Sequence, residues 1–283
     1  MQCRLCPVSC GADREKAAGY CGAKDLILAK YYLHPFEEPP ISHRNGSGTV
    51  FFCGCSLRCV FCQNYELSRV QRGKRVTPRE LCDIFLSLEQ AGAENINLVT
   101  PDHVSHLIAE ALALRKPNVP VVYNSGGYCT IQALEEIDPY IDVYLPDLKF
   151  RSPALAQRYT GRADYFDYAA PAIAFMAKKQ QVWQGDKILR GLIVRHLVLP
   201  AATSDSLRVL DFLKETLPQG TPLSLMRQYT PAGNIAGYPE LNRRVTAREY
   251  RRVLDYAIAL GFEQIYTQEK DSAQTKFIPQ WDY

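Results

Sequence analysis

The sequence predicts an α/β protein, an open or partial parallel β/α barrel preceded by a small cysteine-rich segment. Short apolar runs rich in β-branched residues alternate with amphipathic stretches at helical spacing over residues 48–267. Alternation of this kind is typical of a parallel sheet with right-handed crossovers. The six or seven units counted in the sequence fall short of the complete eightfold barrel. The length of 283 residues is sufficient for one large core.

The elements follow one another with short connections. Two helices are expected to begin with a capping box, in which a threonine and a glutamate three residues later bond to each other's backbone: Thr77 with Glu80, and Thr246 with Glu249. Residues 34–48 contain Pro39-Pro40 and Gly46-Ser47-Gly48 and are expected to form a loop before the first strand. Strands are predicted at residues 49–52, 95–99, 120–124, 142–145, 192–199, 222–226 and 264–267, with helices at 77–88, 107–112, 131–137, 153–180, 205–217 and 246–260.

The charge balance and the apolar runs of the sequence do not favour a nucleic-acid or membrane partner. The formal net charge is +3, from 33 Lys and Arg against 30 Asp and Glu, so no nucleic-acid or membrane partner is expected. The N-terminus lacks the apolar stretch of a secretory signal, and no apolar run approaches the roughly 18 residues of a membrane span. We therefore expect a cytoplasmic protein, in which clustered cysteines indicate a metal rather than disulfides.

The first group of cysteines indicates a closed metal site. Four soft ligands surround a turn-rich loop at C-x2-C-x3-C-x10-C spacing, and they are Cys3, Cys6, Cys10 and Cys21. Spacing alone does not separate zinc from an iron–sulfur cluster, and four packed thiols without metal are the alternative. Because a second cysteine group follows, an iron–sulfur cluster is favoured. We predict two domains, a metal-binding extension at residues 1–45 and a barrel at residues 46–283.

The second group has three ligands. Cys55, Cys59 and Cys62 stand at C-x3-C-x2-C spacing in residues 53–64, called here the cysteine loop, directly after a predicted strand. Three thiolates can hold three corners of an iron–sulfur cube, whereas a structural zinc site normally has four ligands. The pattern therefore predicts a cluster with one iron open to a ligand.

Three further cysteines are expected to serve packing. Cys82 lies on the apolar stripe of a predicted helix. Cys129 follows a glycine loop near the expected mouth of the site, where packing is favoured and a functional role is the alternative. Cys53 precedes Cys55 by two residues and is taken as structural, although a redox or hydrogen-transfer role stays open for it.

The cysteine loop, with Phe61 directly before its last cysteine, resembles the motif of the radical S-adenosylmethionine (SAM) superfamily. The resemblance implies a partial (βα)6 TIM-like barrel and a [4Fe-4S] cluster on Cys55, Cys59 and Cys62. It also implies that SAM chelates the open iron and that a flavodoxin- or ferredoxin-type donor reduces the cluster. One electron would then cleave SAM to methionine and a 5′-deoxyadenosyl radical, which abstracts hydrogen from a substrate.

Two segments resemble the activating enzymes of glycyl radical enzymes, the pyruvate formate-lyase activating enzyme-like group. They are Asp147-Leu148-Lys149 and the strand Val194-Arg195-His196-Leu197-Val198-Leu199-Pro200. This resemblance implies that the substrate is a glycine of a partner glycyl radical enzyme. A peptide or small-molecule substrate is the alternative, and a non-catalytic iron–sulfur or zinc protein is the competing class.

The chain departs from that group at three places. Val99-Thr100-Pro101-Asp102 stands where the group has Gly-Gly-Glu, Asn124-Ser125 where it has Asp-Thr, and Arg227-Gln228-Tyr229 where it has a histidine. These departures leave Thr100 or Asp102 as substitutes for the missing glutamate.

The predicted cofactor-binding residues lie at strand ends, where barrel enzymes place their chemistry. Side-chain alternation sends only one of Arg195 and His196 into the barrel; the resemblance selects Arg195, and His196 is expected to be satisfied beneath a helix. No catalytic residue is assigned. The predicted set is Thr100, Asn124, Ser125, Asp147, Lys149, Arg195 and Gln228.

Overall fold

The computed structural model describes residues 2–69 and 72–267. The strands are β1 (Ile27–His34), β2 (Ser47–Phe52), β3 (Lys74–Arg75), β4 (Ile96–Val99), β5 (Val121–Ser125), β6 (Val143–Pro146), β7 (Val182–Gln184), β8 (Lys187–Leu192), β9 (Val194–Leu197), β10 (Leu223–Met226) and β11 (Ile265–Thr267). The helices are α1 (Pro39–Ser42), α2 (Tyr65–Arg69), α3 (Pro78–Gln90), α4 (Ser105–Leu114), α5 (Ile131–Ile137), α6 (Pro153–Thr160), α7 (Tyr165–Met176), α8 (Thr203–Thr216) and α9 (Ala247–Ala259).

Two sheets form the framework. The larger has the strand order β3-β1-β2-β4-β5-β6-β8-β7, and the smaller has the order β11-β10-β9. A parallel bridge between Asp147 and Arg195 joins them, and the backbone N–H of Leu148 donates to the carbonyl of Arg195 at 2.9 Å. Neighbouring strands are parallel in the series β2-β4-β5-β6-β8 of the larger sheet. They are also parallel in the smaller sheet, in the series β9-β10-β11. The predicted partial (βα)6 TIM-like barrel is confirmed.

The helices cover the outside of the sheet. Both predicted capping boxes are present: the side chain of Thr77 accepts from the N–H of Glu80, and that of Thr246 accepts from the N–H of Glu249. Cys82 is buried on α3 with the apolar stripe of that helix, as predicted. No helix in the described part of the chain is both long and apolar enough to cross a bilayer.

The structure adds a strand before the predicted first one. β1 pairs antiparallel with β2, from Leu28 opposite Phe52 to His34 opposite Ser47. Its side chains are mostly half-buried, so they lack the clean alternation from which a strand is predicted. The expected loop at residues 34–48 is also wrong in part, because it contains α1. The domain boundary at residue 45 stays a prediction, and β1 lies on its N-terminal side within the barrel sheet.

A hairpin that was not predicted precedes the predicted strand at residues 192–199, which corresponds to the last residue of β8 and to β9. β7 and β8 pair antiparallel around Gly185, and Ile193 alone separates β8 from β9. The side-chain amide of Gln181 donates to the carbonyl of Leu192 at 2.8 Å, next to that break. Polar residues and a glycine interrupt the apolar residues of these two strands, and many of the hairpin residues are partly exposed, which is why apolar patterning did not predict them.

The side chains that line the barrel interior change from apolar to polar along the barrel axis. At the end where the strands begin, Ile41 of α1 packs against Val122, Val143 and Ile193 and closes the barrel with an apolar layer. Further along the same strands, the positions that face the interior hold polar residues, Asn124 and Asp147. The interior is therefore apolar at its closed end and polar where the strands end.

Gly127 and Gly161 provide a matched test of packing in the turn after β5. Both have positive φ, +79° and +71°, so alanine at either is expected to cost about 1–2 kcal/mol from the left-handed conformation. A Cβ at Gly127 would lie 2.6 Å from the carbonyl oxygen of Asp147, whereas one at Gly161 meets nothing within 4 Å. We expect Gly127→Ala to lose about 1–3 kcal/mol more than Gly161→Ala in urea unfolding. Equal losses would contradict this packing.

Candidate active site

A cavity of about 550 Å³ opens where the parallel strands end. The structure brings into its wall both the three thiols of the cysteine loop and all seven polar residues predicted from the sequence. They are Cys55, Cys59, Cys62, Thr100, Asn124, Ser125, Asp147, Lys149, Arg195 and Gln228. The residues come from separate strands and loops, so the barrel fold is what assembles them.

Backbone hydrogen bonds hold the cysteine loop against its surroundings. The N–H of Val60 donates to the carbonyl of Tyr159 at 2.9 Å, and the carbonyl of Val60 accepts from Asn234 at 2.9 Å. The ring of Phe61 meets those of Phe150, Tyr159 and Tyr229 edge to face. These contacts fix the loop from outside and leave its thiols facing the cavity.

The donor set of the loop fits an iron–sulfur cluster. Burial raises the pKa of all three thiols, that of Cys62 to about 11, while the ammonium of Lys149 acts against the rise at Cys59. Buried thiols in an apolar setting stay protonated unless a cation or metal compensates the thiolate charge. Three soft sulfur ligands on one cavity wall are suited to iron in a cluster.

A charged network lies at the centre of the cavity. Arg195 donates from Nε to Asp147 Oδ1 at 2.8 Å and from Nη2 to Asn124 Oδ1 at 2.6 Å, and Lys149 Nζ donates to Asp147 Oδ2 at 2.5 Å. Burial raises the pKa of Asp147, but the guanidinium of Arg195 and the ammonium of Lys149 together hold it below its usual range. Asp147 is therefore an ionised, fixed carboxylate.

The alternation predicted for β9 is confirmed. Arg195 faces the cavity, and His196 is buried on the other side of the strand. His196 Nδ1 lies 2.7 Å from the carbonyl of Leu148, and Nε2 lies 2.9 Å from the hydroxyl of Ser206 on α8. Burial lowers the pKa of His196, so it is a neutral histidine with both nitrogens satisfied beneath a helix.

The end of β4 presents Thr100 and Asp102 to the cavity. Thr100 has a left-handed backbone with φ +59°, and its N–H donates to the carbonyl of Asn124. Asp102 is buried and accepts from the hydroxyls of Ser125 at 2.7 Å and Tyr123 at 3.1 Å. Burial raises its pKa to about 6. Of the two substitutes considered for the missing glutamate, Asp102 is the one anchored by side-chain hydrogen bonds.

The remaining candidates divide into lining and packing residues. Gln228 lines the cavity after β10, whereas the hydroxyl of Tyr229 donates to the carbonyl of Leu241 at 2.7 Å. Cys53 is buried and its thiol donates to the carbonyl of Arg72. Cys129 is also buried. These contacts agree with the packing role expected for both cysteines.

The four N-terminal cysteines lie together. A Cβ on Gly19 would stand 3.3 Å from the sulfur of Cys10 and 3.6 Å from that of Cys21. Burial raises the pKa of Cys6 to about 12, and the charges of Cys21, Cys3 and Cys10 add to the rise. Within residues 2–69 and 72–267, no group of three or more His, Cys, Asp or Glu side chains is placed to bind a single metal ion.

The N-terminal cysteines also touch the cysteine loop, which the sequence did not indicate. The carbonyl of Cys21 accepts from the N–H of Cys55 at 3.1 Å. Arg14 donates from Nη2 to the sulfur of Cys21 at 3.4 Å and from Nη1 to the carbonyl of His103 at 2.8 Å. His103 Nε2 in turn lies 2.7 Å from the carbonyl of Cys53. The two cysteine groups are thus in direct contact.

Glu37 and Glu38 line the cavity and were missed by sequence reasoning. Their carboxylates lie 3.6 Å and 3.9 Å from nitrogens of Arg195. Burial raises the pKa of both, that of Glu38 to about 7, against the lowering effect of Arg195. Adjacent carboxylates before two prolines are typical of a solvated loop, so no local signal identified them. The pairing of β1 with β2 and the packing of Ile41 of α1 inside the barrel bring this segment to the cavity.

The raised pKa of Glu38 predicts a pH-dependent stability difference. Its ordinary value of 4.5 rises to about 7 in the folded chain, so the folded state binds this proton more tightly and stability falls as the pH rises between these values. Glu38→Gln mimics the protonated acid and removes that loss. We expect the variant to gain about 2 kcal/mol over wild type between pH 5 and pH 8 in urea unfolding. A pH-independent difference would contradict the assignment.

Comparisons with known proteins agree with this geometry. A model of the radical SAM superfamily matches residues 49–192. Uncharacterized protein MJ0674 of Methanocaldococcus jannaschii is 30% identical over 274 residues, covering 93% of this chain and 76% of that protein. The pyruvate formate-lyase-activating enzyme of Listeria monocytogenes is 24% identical over 199 residues, covering 64% of this chain and 74% of that enzyme. The resemblance found in the sequence is confirmed.

Solved structures show the same fold. SuiB of Streptococcus suis bound to S-adenosylmethionine superposes with a TM-score of 0.53 at 14% identity, covering 76% of this chain and 48% of SuiB. SuiB bound to its precursor peptide SuiA gives a TM-score of 0.53 at 12% identity, covering 76% and 46%. The chain therefore spans about half the length of SuiB. Since the matched family segment covers half of the chain and includes the cysteine loop and four of the strands that carry the cavity, this protein belongs to the radical SAM superfamily.

Proposed function

We propose that Cys55, Cys59 and Cys62 hold a [4Fe-4S] cluster and that the adjoining cavity binds SAM. The observation that carries this proposal is that three thiols, one buried and two half-buried, and a set of polar strand-end side chains line one cavity. When bound, the reduced cluster supplies the electron that cleaves SAM to methionine and a 5′-deoxyadenosyl radical, which takes hydrogen from a substrate. The residues of the chain hold and orient the reactants.

The seven polar residues divide by what they offer a ligand. Asn124 Oδ1 accepts a hydrogen bond from Arg195, so Asn124 Nδ2 is the donor that this side chain can offer to a carboxylate. Lys149 adds a fixed positive charge, and Asp147 adds a fixed acceptor for hydroxyl groups or an ammonium. The other members of the proposed SAM site lie on or just after β4, β5, β9 and β10, and they are Thr100, Ser125, Arg195 and Gln228.

Apolar side chains complete the cavity. Phe51, Val99, Leu197 and Met226 line it between the polar groups. A lining of this kind excludes water and so limits side reactions of a reactive intermediate. It also strengthens the electrostatic effect of Asp147 and Lys149, because these groups act in a medium of low dielectric constant.

The proposed substrate is a glycine residue of a partner glycyl radical enzyme, with a flavodoxin- or ferredoxin-type protein as electron donor. The identity with the Listeria activating enzyme supports this assignment, as does the matching Asp147-Leu148-Lys149 segment. A peptide or small molecule is the second candidate, since a cavity of about 550 Å³ has the volume of a small-molecule site. A non-catalytic metal protein would bind the cluster without cleaving SAM.

We further propose that Cys3, Cys6, Cys10 and Cys21 hold a second metal, as an iron–sulfur cluster or as zinc. The mutual proximity of the four thiols supports a shared ligand. Because the side chains are not placed around a single ion among the described residues, they would have to reorient to bind zinc. On this proposal, residues 1–45 are a metal-binding extension of the barrel formed by residues 46–283.

Cys59→Ala tests the assignment of the cluster ligands. After anaerobic reconstitution with iron and sulfide, we expect the variant to lose the iron of one cluster. The formation of 5′-deoxyadenosine from SAM and dithionite should fall at least about 100-fold. Cys82→Ala is the control, because Cys82 is equally buried but lies on α3 outside the cavity. Undiminished 5′-deoxyadenosine from Cys59→Ala would contradict the assignment. If wild-type protein with a full complement of cluster forms no 5′-deoxyadenosine, the result would favour a non-catalytic metal protein.

Cys6→Ala tests the second metal site. Quantifying iron and zinc in the variant and in wild type measures which metal is lost, and we expect a loss because the metal requires all four thiols. Cys129→Ala, another buried cysteine, should retain the full metal content. Equal iron and zinc in Cys6→Ala and wild type would show that the four thiols pack without metal.

A further inference from the structure

Glu37 and Glu38 lie at the floor of the cavity. They directly precede α1, whose Ile41 closes the apolar end of the barrel. From there both carboxylates reach the cavity wall next to Arg195. Neither belongs to the set proposed to hold the cluster or SAM, and both precede the segment that matches the family, residues 49–192.

The charges around the floor do not balance within the described residues. Three carboxylates, of Glu37, Glu38 and Asp147, face two cations, Arg195 and Lys149, which gives a formal charge of 2 − 3 = −1. Arg195 makes its short contacts, at 2.8 Å and 2.6 Å, to Asp147 and Asn124. Its contacts to the two glutamates are longer, at 3.6 Å and 3.9 Å. Asp102 adds a further carboxylate to the cavity wall.

A second observation points to a ligand. Glu38 is only 7% exposed, and its Oε1 is buried without a hydrogen bond. A buried acceptor of this kind is costly unless a donor satisfies it. Because Glu38 lines the cavity, a cation entering the cavity can supply both the donor and the missing positive charge. Burial raises the pKa of Glu38 to about 7, as expected for a carboxylate without a full counter-charge.

The order of side chains above the floor indicates the shape of that ligand. Along β10 and the residues that follow it, Ser224, Met226 and Gln228 occupy alternate positions and all line the cavity. On β9, Leu197 similarly follows Arg195. The cavity therefore has an acidic floor, an apolar band and a polar rim.

We propose that Glu37 and Glu38 bind an alkylammonium group of the substrate, whose aliphatic stem lies along Leu197 and Met226. This inference rests on the proposed SAM chemistry and favours the second substrate candidate, narrowing the peptide or small molecule to one that bears an amine. Glu37, Glu38 and the Ser224 hydroxyl provide acceptors for the three N–H donors of an ammonium group. An inorganic cation such as Ca²⁺ takes six or more oxygen ligands, about twice that number.

The test measures binding of n-butylammonium to the reconstituted full chain with saturating SAM at pH 8 and without reductant. Titration by saturation-transfer NMR compares this probe with n-butanol, which lacks the charge. We expect Glu38→Gln and Glu37→Gln each to weaken n-butylammonium binding at least about 10-fold, because a charge-assisted hydrogen bond is lost. Binding of n-butanol and of SAM should be unchanged. Glu110→Gln, on the exposed face of α4, is the control and should bind the probe as wild type does.

Three results would overturn the inference. Unchanged n-butylammonium binding in both variants would show that the glutamates do not hold the amine. A parallel loss of SAM affinity would assign them to SAM. Displacement of the probe by equimolar potassium chloride would identify an inorganic cation site. Because the assay involves no SAM cleavage, loss of amine binding in the variants supports this inference even if 5′-deoxyadenosine is never formed.

Discussion

The contact between Asp147 and Arg195 joins the two sheets and also forms the centre of the cavity. Their backbones form the parallel bridge between β6 and β9, and their side chains form an ion pair at 2.8 Å. Burying such a pair is costly unless further partners satisfy it. Lys149 and Asn124 provide those partners. The junction of the two sheets and the construction of the polar site therefore depend on the same contact.

This network explains why the two ends of the cavity differ in chemistry. Towards the rim, Lys149 places a positive charge near Cys59, where thiolates would gather. Towards the floor, Arg195 is shared with Glu37 and Glu38 but bonds more closely to Asp147. A cofactor with soft, negatively charged ligands suits the rim, and a cationic group suits the floor. One cavity thus offers two separate binding environments.

The sequence predicted what local patterns determine. The cysteine loop and the Asp147 segment are contiguous motifs, and strand alternation together with the family resemblance identified Arg195. The sequence did not predict β1 or the two glutamates at the cavity floor. A half-buried strand and a pair of acidic loop residues have no distinctive pattern. The hydrogen bond between Cys21 and Cys55 was also beyond prediction, because it joins residues that are distant in sequence. The features that were not predicted are therefore tertiary contacts, because local propensity does not determine which segments pack against each other.

An anaerobic crystal structure of the reconstituted chain with SAM tests the central claim most directly. We expect a [4Fe-4S] cluster on Cys55, Cys59 and Cys62, with SAM in the adjoining cavity within hydrogen-bonding distance of Asn124 and Asp147. We also expect the carboxylates of Glu37 and Glu38 to remain free of SAM. A cluster bound through other thiols, or SAM ordered outside this cavity, would show that the cysteine loop and the strand-end residues do not form the SAM site.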